Sequence, residues 1–516
     1  MRAARKVAKG GMAARTLGAA APLALLALAA AAPAQNVPAA NAEQYWRLMA
    51  RDQLATIAAR DDAGPHINAV IEVKDRATLD DEVAAAKDLP LQGRTVLVKD
   101  NIETREWPTT AGSLALKDNA TGRDAPLIAR LRRAGGVVLG KTNLSEWANI
   151  RSSNSTSGWS AIGGLTKNPH ALDRNACGSS SGSGAAVASG MAWAAIGTET
   201  DGSVTCPASV NGIVGLKPTV GLVSRTYVVP ISSTQDIAGP MARSVADAAL
   251  LLNALAGPDP ADKATAGAAA HMTDFTAGLD TASLKGQRIG VLRKYIGNDP
   301  RVKKLFDAAV ADLKRAGATV VTIDYEMPKA MGDNELPVLL YELRIGLGAY
   351  LKGSPAKIPV RSLAEVIAFD KAHADEEMRW FGQELFEQAE KVTKAQYTKA
   401  HAANLRLAGP GGIDKLLAAN KLSLLIAPTV GPAWTSDLVN GDHYNGSIGA
   451  TSLAAIAGYP HLTVPMGAVE GLPVGLSFIG AKWSDHALLL AGAAYERART
   501  AKLPAPSLKR WAPAGE

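Results

Sequence analysis

A run of glycine and serine at residues 178–184, Gly-Ser-Ser-Ser-Gly-Ser-Gly, constrains this 516-residue chain more than any other segment. The run has too few side chains to build a core, but it presents many hydroxyl and backbone N–H groups. A flexible linker is the alternative interpretation of such a composition. The next four residues, Ala-Ala-Val-Ala, are a good opening for a helix, which weakens that alternative. We therefore predict a loop held against a helix N-terminus inside a folded domain.

A second segment of similar character spans residues 197–203, Gly-Thr-Glu-Thr-Asp-Gly-Ser. Gly202 lets the backbone beside Ser203 approach a substrate closely, and successive N–H groups from Thr200 to Ser203 could receive an oxyanion. Asp201-Gly202 on its own is more often a plain turn. A serine attacks an amide only when a base removes its proton, and the sequence offers no obvious catalytic histidine. A serine site here therefore needs a different base.

Lys99 is a candidate for that base, because it ends the apolar run Thr-Val-Leu-Val at residues 95–98. That run predicts a strand entering the sheet interior, which leaves the lysine partly desolvated. Burial penalises the ammonium form and lowers the pKa of a lysine, so the amine becomes a usable base. From this segment alone, a strand-end lysine in water or paired with Asp100 is the competing interpretation.

Helical and strand patterns alternate along most of the chain, which is 47% hydrophobic and 20% charged. They predict an α/β fold, in which a mixed central sheet is covered by helices on both faces. Residues 35–516 are expected to form one domain, with a helical insertion at about 261–420 that shapes one wall of a cleft. The patterns indicate helices at 41–57, 127–134, 302–316 and 376–400, and strands at 67–73, 137–140, 213–216, 422–427 and 473–480.

The first 34 residues resemble a cleavable signal peptide rather than part of the fold. Five basic residues precede an Ala/Leu-rich run, and Ala-Pro-Ala at 32–34 suits a signal peptidase. A membrane anchor is the alternative, but the run is shorter than the roughly 20 residues that a span needs. We expect a periplasmic or secreted protein without a membrane partner after cleavage. Removing these five charges from the net charge of +7 leaves +2, which argues against a nucleic-acid partner.

The two cysteines, Cys177 and Cys206, each lie within three residues of a serine in these two segments. Small buried thiols are the favoured interpretation, and a disulfide stays open because the sequence does not give their separation. The eight histidines have no metal-ligand spacing, so solvated or packed roles are expected for each, with His461 the one to watch. No metal, nucleotide or flavin motif occurs, and no cofactor is implied.

Four segments together resemble the amidase signature family. They are the Lys99 strand, residues 178–183, residues 201–203, and Gly-Ile-Val-Gly-Leu-Lys-Pro-Thr at 212–219. Their order matches the family, and the separation of Ser179 and Ser203 equals that of the family's two serines. Within the family the chain is most similar to the bacterial peptide amidases. The common family pattern has Gly-Gly-Ser at the nucleophile, whereas here Asp201 replaces the first glycine, as it does in the peptide amidases.

This resemblance implies a Ser-Ser-Lys triad, with Ser203 as nucleophile, Ser179 as bridging acid and base, and Lys99 as initial base. It also implies a cis peptide bond between Gly178 and Ser179. The N–H groups of Thr200, Asp201, Gly202 and Ser203 would receive the oxyanion, and Ser180 would support Lys99 or Ser179 by hydrogen bonding. Glu146 and Trp147 are expected to shape the site wall, although core packing is at least as good an interpretation for the tryptophan.

The implied reaction is hydrolysis of the C-terminal carboxamide of peptides, which releases ammonia and the free acid. Two alternatives are hydrolysis of aryl or fatty acyl amides and the transfer of ammonia within an amidotransferase complex; the signal peptide argues against the second. A rival nucleophile also exists, because Gly-Ser-Ser-Ser-Gly at 178–182 fits the nucleophile elbow of α/β-hydrolases with Ser180 attacking. That motif needs a preceding strand, and residues 168–175 have the pattern of a polar loop.

Overall fold

The structure is a computed structural model that describes residues 39–513, with side chains from residue 41. The predicted signal peptide, residues 1–34, lies outside the described residues. Eleven strands form the main sheet: β1 Val70–Val73, β2 Thr95–Lys99, β3 Val137–Thr142, β8 Ala194–Glu199, β9 Val214–Lys217, β10 Ile237–Ala242, β11 Arg288–Leu292, β12 Thr319–Ile323, β13 Leu424–Pro428, β14 His461–Val469 and β15 Leu472–Ile479. Their order across the sheet is β1-β3-β2-β8-β10-β9-β14-β15-β13-β11-β12. Two short hairpins stand apart from it, one of β4 Trp159–Ser160 with β5 Gly164–Leu165, the other of β6 Lys167–Asn168 with β7 Ala171–Asn175.

The main sheet is mixed in direction. Strand β2 runs parallel to both β3 and β8, and β11 runs parallel to β12 and β13, whereas the strands between β8 and β13 pair antiparallel. Every residue of β2, β3, β8, β10 and β15 is buried. Strands buried along their whole length need cover on both faces, so these sequences are nearly continuous apolar runs.

Helices supply that cover. The described helices are α1 Ala39–Ile57, α2 Arg76–Ala85, α3 Pro126–Arg133, α4 Ser181–Ala188, α5 Thr205–Val210, α6 Val245–Leu255, α7 Pro300–Arg315, α8 Lys329–Gly353, α9 Leu363–Ala372, α10 Ala374–Glu377, α11 Glu384–Ala389, α12 Lys394–Ala408, α13 Asp414–Asn420, α14 Thr451–Ala457 and α15 Asp485–Ala498. Helices α4 and α5 pack together against the sheet, and α6 packs against it with α3 and α15. The predicted α/β class, a mixed sheet with helices on both faces, is confirmed.

The stretch at 261–420 is not purely helical. Strands β11 and β12 lie inside it and extend the main sheet beyond β13. The pattern at 376–400, expected to be one helix, is divided among α10, α11 and the start of α12. Helices α8, α9 and α11 bury a separate apolar cluster that includes Leu343 and Phe386. The sequence pattern did not predict β12, because all its residues except Ile323 are exposed or half exposed and the apolar signal is weak.

Two parts of the fold position the Gly/Ser segments. The run at 178–184 forms the loop before α4 and the first turn of that helix, and α4 packs against β2, β3, β8 and β10. The second segment is the end of β8 and the turn that leads into α5. Because β2 and β8 are parallel neighbours, Lys99 and the end of β8 lie at the same edge of the sheet.

Searched across the described residues, no helix has both the length and the apolar character needed to cross a membrane.

Candidate active site

Lys99 is fully buried at the end of β2 and bonds two neighbours. Its Nζ donates to the Ser179 Oγ over 2.7 Å, to the Thr198 Oγ1 over 2.8 Å and to the Thr198 carbonyl over 3.2 Å. Burial lowers the pKa of Lys99 to about 7, against the opposing effect of the Asp236 and Glu199 carboxylates. The neutral amine is therefore well populated near neutral pH.

Asp100 does not pair with Lys99. Its carboxylate lies 2.9 Å from the Nζ of Lys141 on the neighbouring strand β3, and both side chains are buried. The pairing that competed with a catalytic interpretation of Lys99 is thus excluded by the sheet, which points consecutive strand residues to opposite sides.

Ser179 is fully buried and follows a cis peptide bond with Gly178, as the resemblance implies. A side chain at position 178 would not fit, because an added Cβ would meet the Ser145 Oγ at 2.1 Å. The Ser179 carbonyl accepts from the Ser145 N–H over 3.0 Å. These contacts hold the Ser179 hydroxyl against Lys99.

Ser203 lies beside this loop, in the turn between β8 and α5. Its carbonyl accepts from the Ser180 N–H over 3.1 Å, which joins the two Gly/Ser segments. Glu199 folds the turn by accepting from the Val204 and Thr205 N–H groups over 2.8 and 2.9 Å. Within residues 39–513 no hydrogen bond occupies the Ser203 hydroxyl, which borders a cavity of about 160 Å³. A hydroxyl in this position is free to attack a bound carbonyl.

The predicted oxyanion donors occupy the same turn. No acceptor in the described chain takes the backbone N–H of Thr200, Asp201, Gly202 or Ser203. Gly202 and Ser203 are buried and Thr200 and Asp201 are partly exposed, and a cluster of N–H groups without acceptors is a natural receptor for a negatively charged oxygen. Gly202 has φ +75°, so glycine provides the backbone conformation that the turn requires.

Two side chains that the sequence analysis missed hold Thr200. Asp236 accepts from the Thr200 Oγ1 over 2.6 Å, and the Gln235 Nε2 donates to the Thr200 carbonyl over 3.3 Å. Thr198 was missed as well, although it bonds both Lys99 and Asn101. The signal that could have found Thr198 is its hydroxyl side chain directly after the apolar residues of β8, next to Glu199.

Ser180 has a different partner from the expected one. Its hydroxyl donates to the Thr198 carbonyl over 3.1 Å and accepts from the Thr198 N–H over 3.2 Å, with no bond to Lys99 or Ser179. The expected hydrogen bond from Ser180 to Lys99 or Ser179 is therefore wrong. Ser180 directly precedes α4, and its hydroxyl holds the start of this helix against β8.

A nucleophile elbow at Ser180 is also disfavoured. The segment before it was expected to be a loop, yet β6 and β7 form a small hairpin there, outside the main sheet. The hydroxyl of Ser180 is buried and engaged on both sides, so it is not available to attack a substrate.

Glu146 and Trp147 pack in the core instead of lining the cavity. Glu146 pairs with buried Arg151 over 3.1 Å, and Trp147 lies against Phe386 with ring centroids 5.8 Å apart. Trp147, Ala148 and Asn149 all have positive φ, a conformation that is costly outside glycine and common near binding sites. This turn presents Ala148 and Asn149 to the Ser203 cavity.

A second cavity of about 350 Å³ adjoins the first, and the two share Ala148, Thr200 and Ile231 in their walls. It lies between the loop at 225–233 and helix α8, and Asn101 and Thr198 line it beside Lys99. Its interior surface is mainly apolar, with Val228, Val229, Pro230 and Ile231 among its lining residues. The combined space suits a compact reacting group attached to a larger apolar body.

His461 has a packed role, because it is fully buried and its Nε2 bonds the Ser477 hydroxyl over 2.6 Å. Burial lowers the pKa of this imidazole to about 3. Among the described residues, no group of three or more histidine, cysteine or acidic side chains could hold a metal ion.

Cys177 and Cys206 form a disulfide with a Cα–Cα distance of 6.0 Å, so the favoured expectation of two thiols is wrong. Cys177 precedes Ser179 by two residues and Cys206 follows Ser203 by three. The two cysteines meet because the fold joins the two Gly/Ser segments beside them. The bridge therefore closes the loop that contains both serines.

Replacing both cysteines by serine is expected to lower the free energy of unfolding by about 3 to 4 kcal/mol. The bridge spans 29 residues of sequence, and its loss gives the unfolded chain that much more conformational entropy. Urea unfolding of both proteins, with and without reductant, measures the difference. Reductant should destabilise only the natural sequence, and a loss below about 1 kcal/mol would contradict the expectation.

Comparisons with known proteins agree with this geometry. The Amidase family model matches residues 55–489. A probable amidase of Arabidopsis thaliana is 39% identical over 460 residues, which cover 85% of each chain. A glutamyl-tRNA(Gln) amidotransferase component of Ralstonia pickettii is 34% identical over 90% of this chain and 98% of that protein. The X-ray structure of peptide amidase from Stenotrophomonas maltophilia is 46% identical with a TM-score of 0.83, over 90% of this chain and 96% of that one. The chain therefore belongs to the amidase signature family and is an amide-hydrolysing enzyme.

Proposed function

We propose that this enzyme hydrolyses the C-terminal carboxamide of peptides, with Ser203 as nucleophile, Ser179 as bridging acid and base, and Lys99 as base. The observation that supports this assignment best is the 2.7 Å contact between the buried Lys99 Nζ and the Ser179 Oγ, next to the unengaged hydroxyl of Ser203. A buried amine with its pKa lowered to about 7 is a competent base at neutral pH.

Three oxygen atoms surround the Lys99 Nζ, and an ammonium group would donate to all three. In the neutral amine, two N–H bonds donate to the Thr198 Oγ1 and carbonyl oxygen, and the nitrogen lone pair accepts from the Ser179 hydroxyl. Lys99 takes the Ser179 proton while Ser179 takes the proton of Ser203, and the Ser203 Oγ bonds to the amide carbon. The N–H groups of residues 200–203 stabilise the oxyanion.

The collapse of this intermediate returns the proton. Ser179 protonates the amide nitrogen and regains a proton from Lys99, the C–N bond breaks, and ammonia leaves an acyl-enzyme on Ser203. Water then attacks the ester carbonyl and loses its proton along the same path, which releases the carboxylic acid and restores the Ser203 hydroxyl. Every proton taken up by Lys99 is returned within each half-reaction.

Two observations support a peptide carboxamide as substrate. The chain is 46% identical to the Stenotrophomonas maltophilia peptide amidase across nearly its full length. The serine also borders the smaller cavity, which suits a compact reacting group such as a primary amide, while the larger apolar cavity beside it suits a side chain of the peptide.

The amidotransferase relative favours glutamine as a second candidate substrate, because the alignment covers 98% of that protein. Purified protein should be incubated separately with a peptide carboxamide, glutamine and an aryl acylamide, with mass spectrometry and ammonia detection. The expected result is conversion of the carboxamide to the acid with one ammonia per peptide and internal bonds intact. Turnover of glutamine or the aryl acylamide alone would overturn the substrate assignment.

We also propose that the enzyme acts outside the cytoplasm after removal of residues 1–34. The Cys177–Cys206 disulfide supports export, because such bonds persist in oxidising compartments. The mass of the protein recovered from a periplasmic fraction tests the cleavage site. Recovery of the full-length chain from the cytoplasm would contradict export.

A further inference from the structure

Helix α8 contacts the serine turn through Glu335, a residue far outside the signature segments. The Gln235 Nε2 donates to the Glu335 Oε1 over 2.9 Å, and the Glu335 carboxyl group interacts electrostatically with that of Asp201. Asp201 is the residue that replaces the usual family glycine two positions before Ser203. An acidic pair therefore lies at the nucleophile turn, and one of its members comes from a distant helix.

The surroundings of Asp201 favour a proton shared between these two carboxyl groups, because the pKa of each is raised. The Asp201 Oδ2 accepts from the Ser452 hydroxyl over 2.5 Å. Its Oδ1 is buried, and no N–H or hydroxyl group in the described chain meets it in hydrogen-bonding geometry, although the Thr451 side chain also lowers the pKa of this carboxyl group. Two carboxylates in contact repel each other, whereas a carboxyl group donating to a carboxylate makes a strong hydrogen bond. Burial and the Asp201 charge raise the pKa of Glu335 to about 8, so Glu335 holds this proton at neutral pH.

Gln235 extends this contact to the other end of the turn. Its Nε2 donates both to Glu335 and to the Thr200 carbonyl. Glu335 is thus linked to Thr200 through Gln235 and to Asp201 directly. Both Thr200 and Asp201 contribute backbone N–H groups that no acceptor in the described chain occupies.

We propose that Glu335 is a positioning residue, whose protonated carboxyl group holds Asp201 and Gln235 so that the N–H groups of the turn point at the substrate carbonyl. This inference rests on the proposed function of the Ser203 turn. Ionisation of Glu335 would place two negative charges in contact and displace the turn. The enzyme would then lose activity above the pH at which Glu335 loses its proton.

Other charged groups also face the pair. Glu199 raises and Lys217 lowers the pKa of Asp201, and the Asp201 charge raises the pKa of Tyr444. Burial lowers the pKa of Lys217 to about 8, so this lysine titrates in the same range. A substitution at Glu335 that keeps its shape and hydrogen bond but does not titrate separates the two contributions.

The test measures the rate at which a fluorophosphonate labels Ser203 at pH values from about 6 to 10. The mass of the intact protein reports the labelling. This reaction needs the oxyanion donors but no particular amide. The natural sequence should label faster as Lys99 becomes neutral near pH 7 and more slowly above about pH 8. In Glu335→Gln, the amide still donates to Asp201, so the rate at pH 7 should stay within about threefold while the alkaline decline disappears. Glu335→Ala should label at least about tenfold more slowly across the range.

Asp333→Asn is the matched control, since Asp333 lies on the same helix in an exposed pair with Lys329. It should label like the natural sequence at every pH. An unchanged alkaline decline in Glu335→Gln would overturn the proposal, as would wild-type labelling by a folded Glu335→Ala protein. If thermal unfolding shows that Glu335→Ala does not fold, the Glu335→Gln profile decides alone. Failure to label Ser203 in the natural sequence would instead refute the proposed function, and this inference with it.

Discussion

Replacing Ser203 by alanine is expected to lower kcat for amide hydrolysis by about 10⁴-fold or more, because removal of a nucleophile in a coupled triad costs nearly all of its rate enhancement. The fold should be unaffected. Among the described residues nothing bonds the Ser203 hydroxyl, and its turn is held by backbone bonds and by Glu199. Ammonia release from the preferred amide measures kcat, and thermal unfolding measures stability.

Ser180→Ala provides the matched control on the neighbouring segment. Within residues 39–513 the Ser180 hydroxyl bonds only the Thr198 backbone, so its loss should reduce activity far less than loss of Ser203. The two serines also differ in covalent chemistry, because an acyl-enzyme trapped by rapid quenching should be found on Ser203. An active Ser203→Ala protein, or an acyl group on Ser180, would refute the assigned nucleophile.

Replacing Lys99 by methionine is expected to lower kcat by about 10³-fold, within the range that a general base contributes. Methionine keeps the approximate length of the side chain in a fully buried site and removes the amine. In the natural sequence activity should rise with pH through about 7, since the neutral form of Lys99 is the base. The residual activity of Lys99→Met should lack this rise. A pH profile of kcat for both proteins checks the expectation.

The substitution Lys99→Met should lower activity without lowering the free energy of unfolding. Burial lowers the pKa of Lys99 below that of an unfolded lysine, so the unfolded chain binds more protons between about pH 7 and 10. The cost of keeping this amine buried is therefore largest at low pH and disappears as the pH rises above the unfolded value. Lys99→Met should be at least as stable as the natural sequence at pH 7, as measured by urea unfolding. Lys117→Met, at an exposed lysine, is the control for both measurements. A pH profile of kcat that is unchanged in Lys99→Met would exclude Lys99 as the base.

The sequence predicted the central elements of the fold because their signals are local. Fully buried strands such as β2 and β15 are short apolar runs with turn residues at their ends, and α3 ends before two glycines. Strand β11 and the edge strand β12 were not predicted because they lie among charged helices, and β12 is half exposed. The order of strands in the sheet depends on pairing between distant segments, which no local pattern contains.

The candidate site divides in the same way. Residue types pointed to the end of the Lys99 strand and to the two glycine- and serine-rich segments, and the resemblance to the family singled out Lys99, Ser179 and Ser203 within them. The resemblance to the family then gave these residues their expected roles. The chemical groups of the site are therefore visible in short segments of the sequence.

The tertiary structure alone decided how these groups are supported. It pairs Asp100 with Lys141, joins Cys177 to Cys206, and brings Glu335 against Asp201. Each of these contacts joins side chains from different elements, so its existence depends on distances that arise only when the sheet and helix α8 pack. The sequence by itself determined which reactive groups this protein has, and packing decided which of them share a proton, a bond or a buried charge.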